Sequence, residues 1–177
     1  MTMHNLNPAI NSRRQALTLA GLAIASLGLG GLVGCGSRDP APASRFLLLD
    51  GSTLDSTTLK GKVTLVNFWA TTCTSCVAEM PELIRTHQKF QPRGFETVAV
   101  AMSYDPVEWV LNFSQSRQLP FKVALDRNGE LAKSWGDVKL TPTTFLVDRQ
   151  GQIVKRYVGA PDFAALHQLI EQLLVQA

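Results

Sequence analysis

From Phe46 onward, short apolar runs alternate with stretches of helical spacing. Phe46–Leu49 is apolar and runs into Asp50-Gly51, a turn signal. Residues 54–62 are mostly polar, with a second turn at Gly61. Val63–Trp69 is a continuous apolar, β-branched run, the pattern of a buried strand. Cys73–Phe90 then predicts a helix, with Val77, Met80, Leu83, Ile84 and His87 near one face. Phe95–Met102 alternates and then turns wholly apolar, a second buried strand. A helix is predicted over 106–118, with Asp105 as its N-cap and Pro106 in its first turn. Phe121–Leu125 reads as short and extended, and Gly129–Trp135 as a short helix. Thr144–Asp148 and Gln152–Val158 flank Arg149-Gln150-Gly151 as a hairpin. Asp162 caps a closing helix to Val175, with Phe163, Leu166, Leu169, Ile170 and Leu173 at helical spacing. Early strand–helix alternation implies a parallel core and the final hairpin adds antiparallel strands. The expected fold is an α/β three-layer sandwich, with a mixed central sheet and helices on both faces.

The N-terminal part follows other rules. Ala16–Val33 is an 18-residue stretch without charge, preceded by Arg13 and Arg14. A basic start, an apolar run and a small-residue end mark an export signal. The run is short for a spanning helix, and glycines 21, 28, 30 and 31 weaken it further as a helix. It closes on Leu32-Val33-Gly34-Cys35, which resembles the lipobox of bacterial lipoproteins, in which the cysteine is lipidated and becomes the new N-terminus. An uncleaved signal anchor or ordinary cleavage nearby would export the domain as well. Ser12–Leu17 also resembles a twin-arginine export motif, without its aromatic residue and following lysine. Residues 1–34 are therefore expected to be a lipoprotein signal peptide. Residues 35–45 are read as a lipidated N-terminus and Pro-containing linker reaching up to about 30 Å, and residues 46–177 as the domain.

Removal of the signal takes away both of its arginines, so the formal net charge falls from +3 to +1. No basic patch results, which argues against nucleic acid as a partner. Three cysteines then divide into Cys35 for lipid and the pair Cys73 and Cys76. That pair, C-x-x-C, sits where a strand feeds a helix. A helix N-terminus carries about half a positive charge and unpaired N–H groups, and both favour thiolate, the form that attacks disulfides. The same two residues would serve a structural disulfide or half a zinc site. The zinc reading lacks a second ligand pair, because His4, His87 and His167 show no ligand spacing. Exported thiols lie outside the cytosolic reducing pool.

Phe68-Trp69-Ala70-Thr71-Thr72-Cys73-Thr74-Ser75-Cys76 resembles the active-site segment of the thioredoxin superfamily. Thr141-Pro142-Thr143-Thr144-Phe145-Leu146-Val147-Asp148 resembles its second landmark, a cis-proline loop feeding a strand. Glu79-Met80-Pro81 is similar to the TlpA/ResA-like branch of membrane-tethered extracytoplasmic thiol reductases, in which a glutamate three residues after the second cysteine assists proton transfers. The resemblance spans about residues 46–175 and implies a thioredoxin-like fold, a thiol:disulfide oxidoreductase and no cofactor. It also implies that Cys73 attacks a client disulfide and that Cys76 resolves the mixed disulfide. Pro142 would be cis, with the backbone of Thr141 pairing with substrate. Trp69 is expected to be partly exposed beside Cys73 and to contact substrate, a core position being the alternative. The sequence departs from thioredoxin proper at Asn67, which replaces a buried aspartate and cannot titrate. Glu79 is the candidate that takes over acid/base work, against the alternative of a solvated first-turn glutamate.

The partners the resemblance implies are a disulfide-bearing client, such as apocytochrome c or a metallochaperone, and a membrane thiol donor of the DsbD or CcdA type. The membrane itself would be reached through the lipid anchor, on the periplasmic side. Two rivals share the fold. A peroxiredoxin needs a Pro-x-x-x-Thr-x-x-Cys segment, but position 70 is Ala and no proline precedes it within the motif. A Sco-type copper module wants C-x-x-x-C and a distal loop histidine, but the spacing is one residue short and His167 falls within the last helix.

Overall fold

The computed structural model describes residues 38–176. The expected signal segment, Cys35 and Gly36 lie outside the described residues. The elements run β1 (Arg45–Leu48), β2 (Thr53–Asp55), β3 (Val63–Trp69), α1 (Thr74–Phe90), β4 (Phe95–Ala101), α2 (Val107–Ser116), β5 (Lys122–Leu125), α3 (Glu130–Ser134), β6 (Thr143–Val147), β7 (Ile153–Val158) and α4 (Phe163–Val175). They form one mixed sheet of order β2-β1-β5-β4-β3-β6-β7. β3, β4 and β5 are parallel neighbours, while β6 is antiparallel to β3, β7 to β6, and β1 to β5.

The layering follows from connection handedness. The steps β3→β4 and β4→β5 move in one direction across the sheet, so right-handed crossovers put α1 and α2 on the same face. α4 joins them there. Val63, Leu65 and Trp69 of β3 pack on Met80, Leu83 and Phe90 of α1, Val110 of α2, and Leu166 and Ile170 of α4. The alternate positions Val66 and Phe68 face the other way, into Phe46, Trp135, Phe145 and Ala132 of α3. β3 and β4 are buried along their whole lengths, which is why their sequences run apolar without alternation. Leu65 is fully buried at the centre of the helix-covered face. Leu65→Ala is expected to cost about 2–5 kcal/mol, read as a lowered denaturation midpoint at unchanged m-value.

Two expectations need correction. The segment read as a Pro-containing linker with a reach of up to about 30 Å is docked from Arg38 onward. Ile153 N–H donates to Asp39 O (2.8 Å) and Ala41 N–H to Gly151 O (2.9 Å), and Trp135 Nε1 donates to Ser44 Oγ (2.9 Å). Arg38 also pairs with Asp148 at 3.2 Å. Pro40 and Pro42 favour extended backbone, which suits a strand-edge seat as well as a tether. In addition, Asp105 does not cap α2. The N-cap is Pro106, without a side-chain cap bond, and the Asp105 carboxylate is used elsewhere. Asp162 does cap α4, accepting from Ala164 N and Ala165 N.

Candidate active site

β3 ends at Trp69, and a tight turn, closed by Cys73 N–H to Ala70 O (3.2 Å), delivers the chain to α1. Cys73 is the N-cap of α1, and its Sγ accepts from Cys76 N–H at 3.2 Å. Ser75 Oγ lies 3.4 Å from the same sulfur. Cys73 and Cys76 are joined as a disulfide, with Cα atoms 5.2 Å apart. The two sulfurs differ in access: Cys73 is half-buried, whereas Cys76 has no exposed surface.

α1 buries Cys76, Glu79, Met80, Leu83, Thr86, His87 and Phe90, one stripe at helical spacing. Glu79 is therefore a core-facing carboxyl, 4% exposed, and not a solvated first-turn glutamate. Asn67 Nδ2, on the adjoining β3, donates to Glu79 Oε1 (3.0 Å) and to Thr144 Oγ1 of β6 (2.9 Å). Among the described residues Glu79 Oε2 has no hydrogen-bond partner. Burial pushes the Glu79 carboxyl up to about 7, against the opposing pull of the Asn67 bond. The residue that cannot titrate thus holds the one that can. Asn67 and Thr144 carry no signal of this role in the sequence beyond their polarity inside apolar strands.

The Thr141–Pro142 bond is cis. The loop is fixed by Gly159 N–H to Pro142 O (2.8 Å) and by Thr143 Oγ1 to Leu140 O (2.7 Å). Thr141 remains partly exposed, with its Oγ1 3.4 Å from the Tyr104 hydroxyl. Trp69 does not fit its expected place. It is fully buried, its ring 5.1 Å from that of Phe113 on α2, so it contacts core and not substrate. The reason is register: odd-numbered positions of β3 face the helix layer, and α2 covers the last of them. His87 and Met80 are core residues, as their spacing implies.

The family model described as Redoxin matches residues 37–170. The chain is a member of the Redoxin family. Among curated relatives of this Redoxin domain, the thiol-disulfide oxidoreductase ResA of Bacillus subtilis (strain 168) is 34% identical over 127 residues, covering 71% of this chain and 70% of that protein. ResA of Bacillus thuringiensis subsp. konkukian is 31% identical over 125 residues, 71% of each chain. A crystal structure from Chlorobium tepidum, titled a thiol:disulfide interchange protein of the thioredoxin family, superposes with TM-score 0.71 at 27% identity, covering 78% of this chain and 97% of that one. The fold is thioredoxin-like, the branch is TlpA/ResA-like, and the domain is a thiol:disulfide oxidoreductase acting on disulfide-bearing proteins.

Proposed function

We propose that this Redoxin domain reduces protein disulfides outside the cytosol, with Cys73 as attacking thiolate, Cys76 as resolving thiol and Glu79 as the proton acceptor for Cys76. The observation that carries the reading is the inequality of the two sulfurs beside a carboxyl near 7: Cys73 reachable at a helix N-terminus, Cys76 buried, Glu79 three residues further along the same stripe. In the forward direction Cys73 thiolate attacks one client sulfur, and the other client sulfur leaves as thiolate. Cys76, giving its proton to Glu79, then attacks Cys73 Sγ. The client's second thiol departs, and the Cys73–Cys76 disulfide holds the two electrons' worth of oxidation. The cis Thr141–Pro142 loop offers the partly exposed Thr141 backbone for pairing with the client chain, as in the wider family.

The apolar run before Leu32-Val33-Gly34-Cys35 supports export and lipidation at Cys35, with residues 1–34 removed. An exported reductant must itself be re-reduced, so a membrane dithiol donor of the DsbD or CcdA type is the required partner. Apocytochrome c and metallochaperones are the client classes the TlpA/ResA-like branch suggests. The test of direction is the redox state of Cys73–Cys76 in cells, trapped by acid and alkylation. The reading predicts free thiols when the membrane donor is present and a disulfide when it is deleted. A disulfide in both backgrounds would overturn the reductant role.

A further inference from the structure

One buried ionisable group bonded to the active-site turn takes no part in the proposed proton transfers. Asp105, in the loop between β4 and α2, is 6% exposed. Its two carboxylate oxygens accept from Thr71 N–H (2.6 Å) and from Thr71 Oγ1 (2.6 Å). Thr71 lies in the turn that begins at Ala70 and ends on Cys73. Among the described residues Asp105 makes no ion pair. Arg127, Glu108 and Asp126 line the same cleft without pairing with it, and the Asp126 carboxylate is taken up by the first N–H groups of α3. On α1 the titratable residue that follows the dithiol most closely in sequence is Glu79, which is bonded to Asn67.

We propose that Asp105 is a positioning residue, which clamps the Ala70–Cys73 turn and whose fixed negative charge makes the Cys73–Cys76 couple a stronger reductant. The proposal rests on the reading that Cys73 is the attacking thiolate. Reduction creates a thiolate at the end of the turn whose Thr71 is bonded to the Asp105 carboxylate, and like charges in a partly desolvated site repel. The disulfide is neutral and feels no such repulsion. A charge that disfavours the reduced form shifts the couple towards giving up electrons. The carboxylate also takes up the Thr71 N–H and hydroxyl, which fixes the turn in one geometry while Cys73 exchanges partners. A neutral residue at position 105 would keep the fold of the turn but not this bias.

The experiment equilibrates the full chain, wild type, D105N and E108Q, with dithiothreitol redox buffers at one pH. D105N keeps an acceptor for Thr71 N–H and removes the charge. It is expected to move the equilibrium about tenfold towards the dithiol, which is about 30 mV for a two-electron couple. Cys73 of D105N should also ionise at lower pH, read from thiolate absorbance. E108Q removes an equal charge from an exposed position on α2, where solvent and salt screen it, and should shift the equilibrium by less than about twofold. An unmoved D105N, or an E108Q shift as large as that of D105N, overturns the proposal. A measurement on the unmutated protein decides the matter if D105N fails to fold. The Asp105 carboxyl resonance in reduced protein should show an inflection where Cys73 ionises, and a flat response would overturn the proposal. The order of alkylation by iodoacetamide tests the underlying assignment separately. Cys76 reacting before Cys73 would overturn both, whereas Cys73-first reaction with an unmoved D105N overturns the proposal alone.

Discussion

Cys76→Ala is expected to convert this oxidoreductase into a trap that reacts once and stays covalently bound to its client through Cys73. The expectation follows from which sulfur can be reached. Cys73 is half-buried at the N-cap of α1, with the Cys76 N–H aimed at its sulfur, so the first attack survives the substitution. Cys76 is fully buried beneath it and separated by one helical turn, so only Cys76 can approach the Cys73 side of a mixed disulfide from within. Well-oriented intramolecular attack corresponds to effective molarities of roughly 10⁵ M and above, which no millimolar external thiol replaces. Turnover should therefore fall by about a thousandfold or more, while a mixed disulfide accumulates one-to-one on non-reducing gels. Cys73→Ala should abolish both turnover and trapping. Mass spectrometry of the trapped species names the client, and equal trapping by the Cys73→Ala and Cys76→Ala variants would refute the division of labour.

Glu79→Gln is the second large effect, and it has two separable parts. Burial raises the folded-state carboxyl to about 7 from an ordinary 4.5. The native protein thus retains a proton that the unfolded chain releases. Stability from this group is complete below about pH 4.5 and is lost as pH rises through about 7. Glu79→Gln should flatten that segment of the stability profile and, above pH 7, make the oxidised protein more stable than wild type by up to roughly 3 kcal/mol. Denaturant melts of the disulfide form at pH 5 and pH 8 read this without interference from thiol titration. The second part is kinetic. Resolution of the mixed disulfide should slow on the order of a hundredfold at pH 7 and lose its inflection near that pH. A variant that is stabilised at pH 8 but resolves at the wild-type rate would confine Glu79 to a structural role.

Most of the fold is legible along the chain because the sheet is built from strands with unmistakable composition. Val63–Trp69 and Phe95–Ala101 are buried over their whole lengths and read as such, and the amphipathic spacing of α1 and α4 matches their buried stripes. β2 is not separable along the chain, because Thr53 and Asp55 are exposed, Leu54 is only partly buried, and among the described residues the strand pairs only with β1. The dithiol is legible as C-x-x-C at a strand-to-helix step, whereas the part played by Glu79 and the cis bond at Pro142 are legible only through the family resemblance of their segments. What spacing does not convey is which side of a strand a residue faces once helices are placed, and Trp69 shows this: next to the motif in sequence, it points into the layer that α2 covers. Local rules also misdirect when a long-range partner competes. Asp105 has the type and position of a helix cap, but Thr71, 34 residues earlier, takes its carboxylate. Pro40 and Pro42 likewise read as tether until Gly151 and Ile153 are brought alongside.

The most direct test of the central claim is a single-turnover reaction. Fully reduced protein is mixed with a disulfide-bearing protein substrate, and both partners are quenched and counted for thiols. The account predicts that each substrate disulfide reduced is matched by one Cys73–Cys76 disulfide formed, with the transient mixed disulfide found at Cys73 alone. Reduction that proceeds without oxidation of Cys73–Cys76, or an intermediate carried on Cys76, would contradict it.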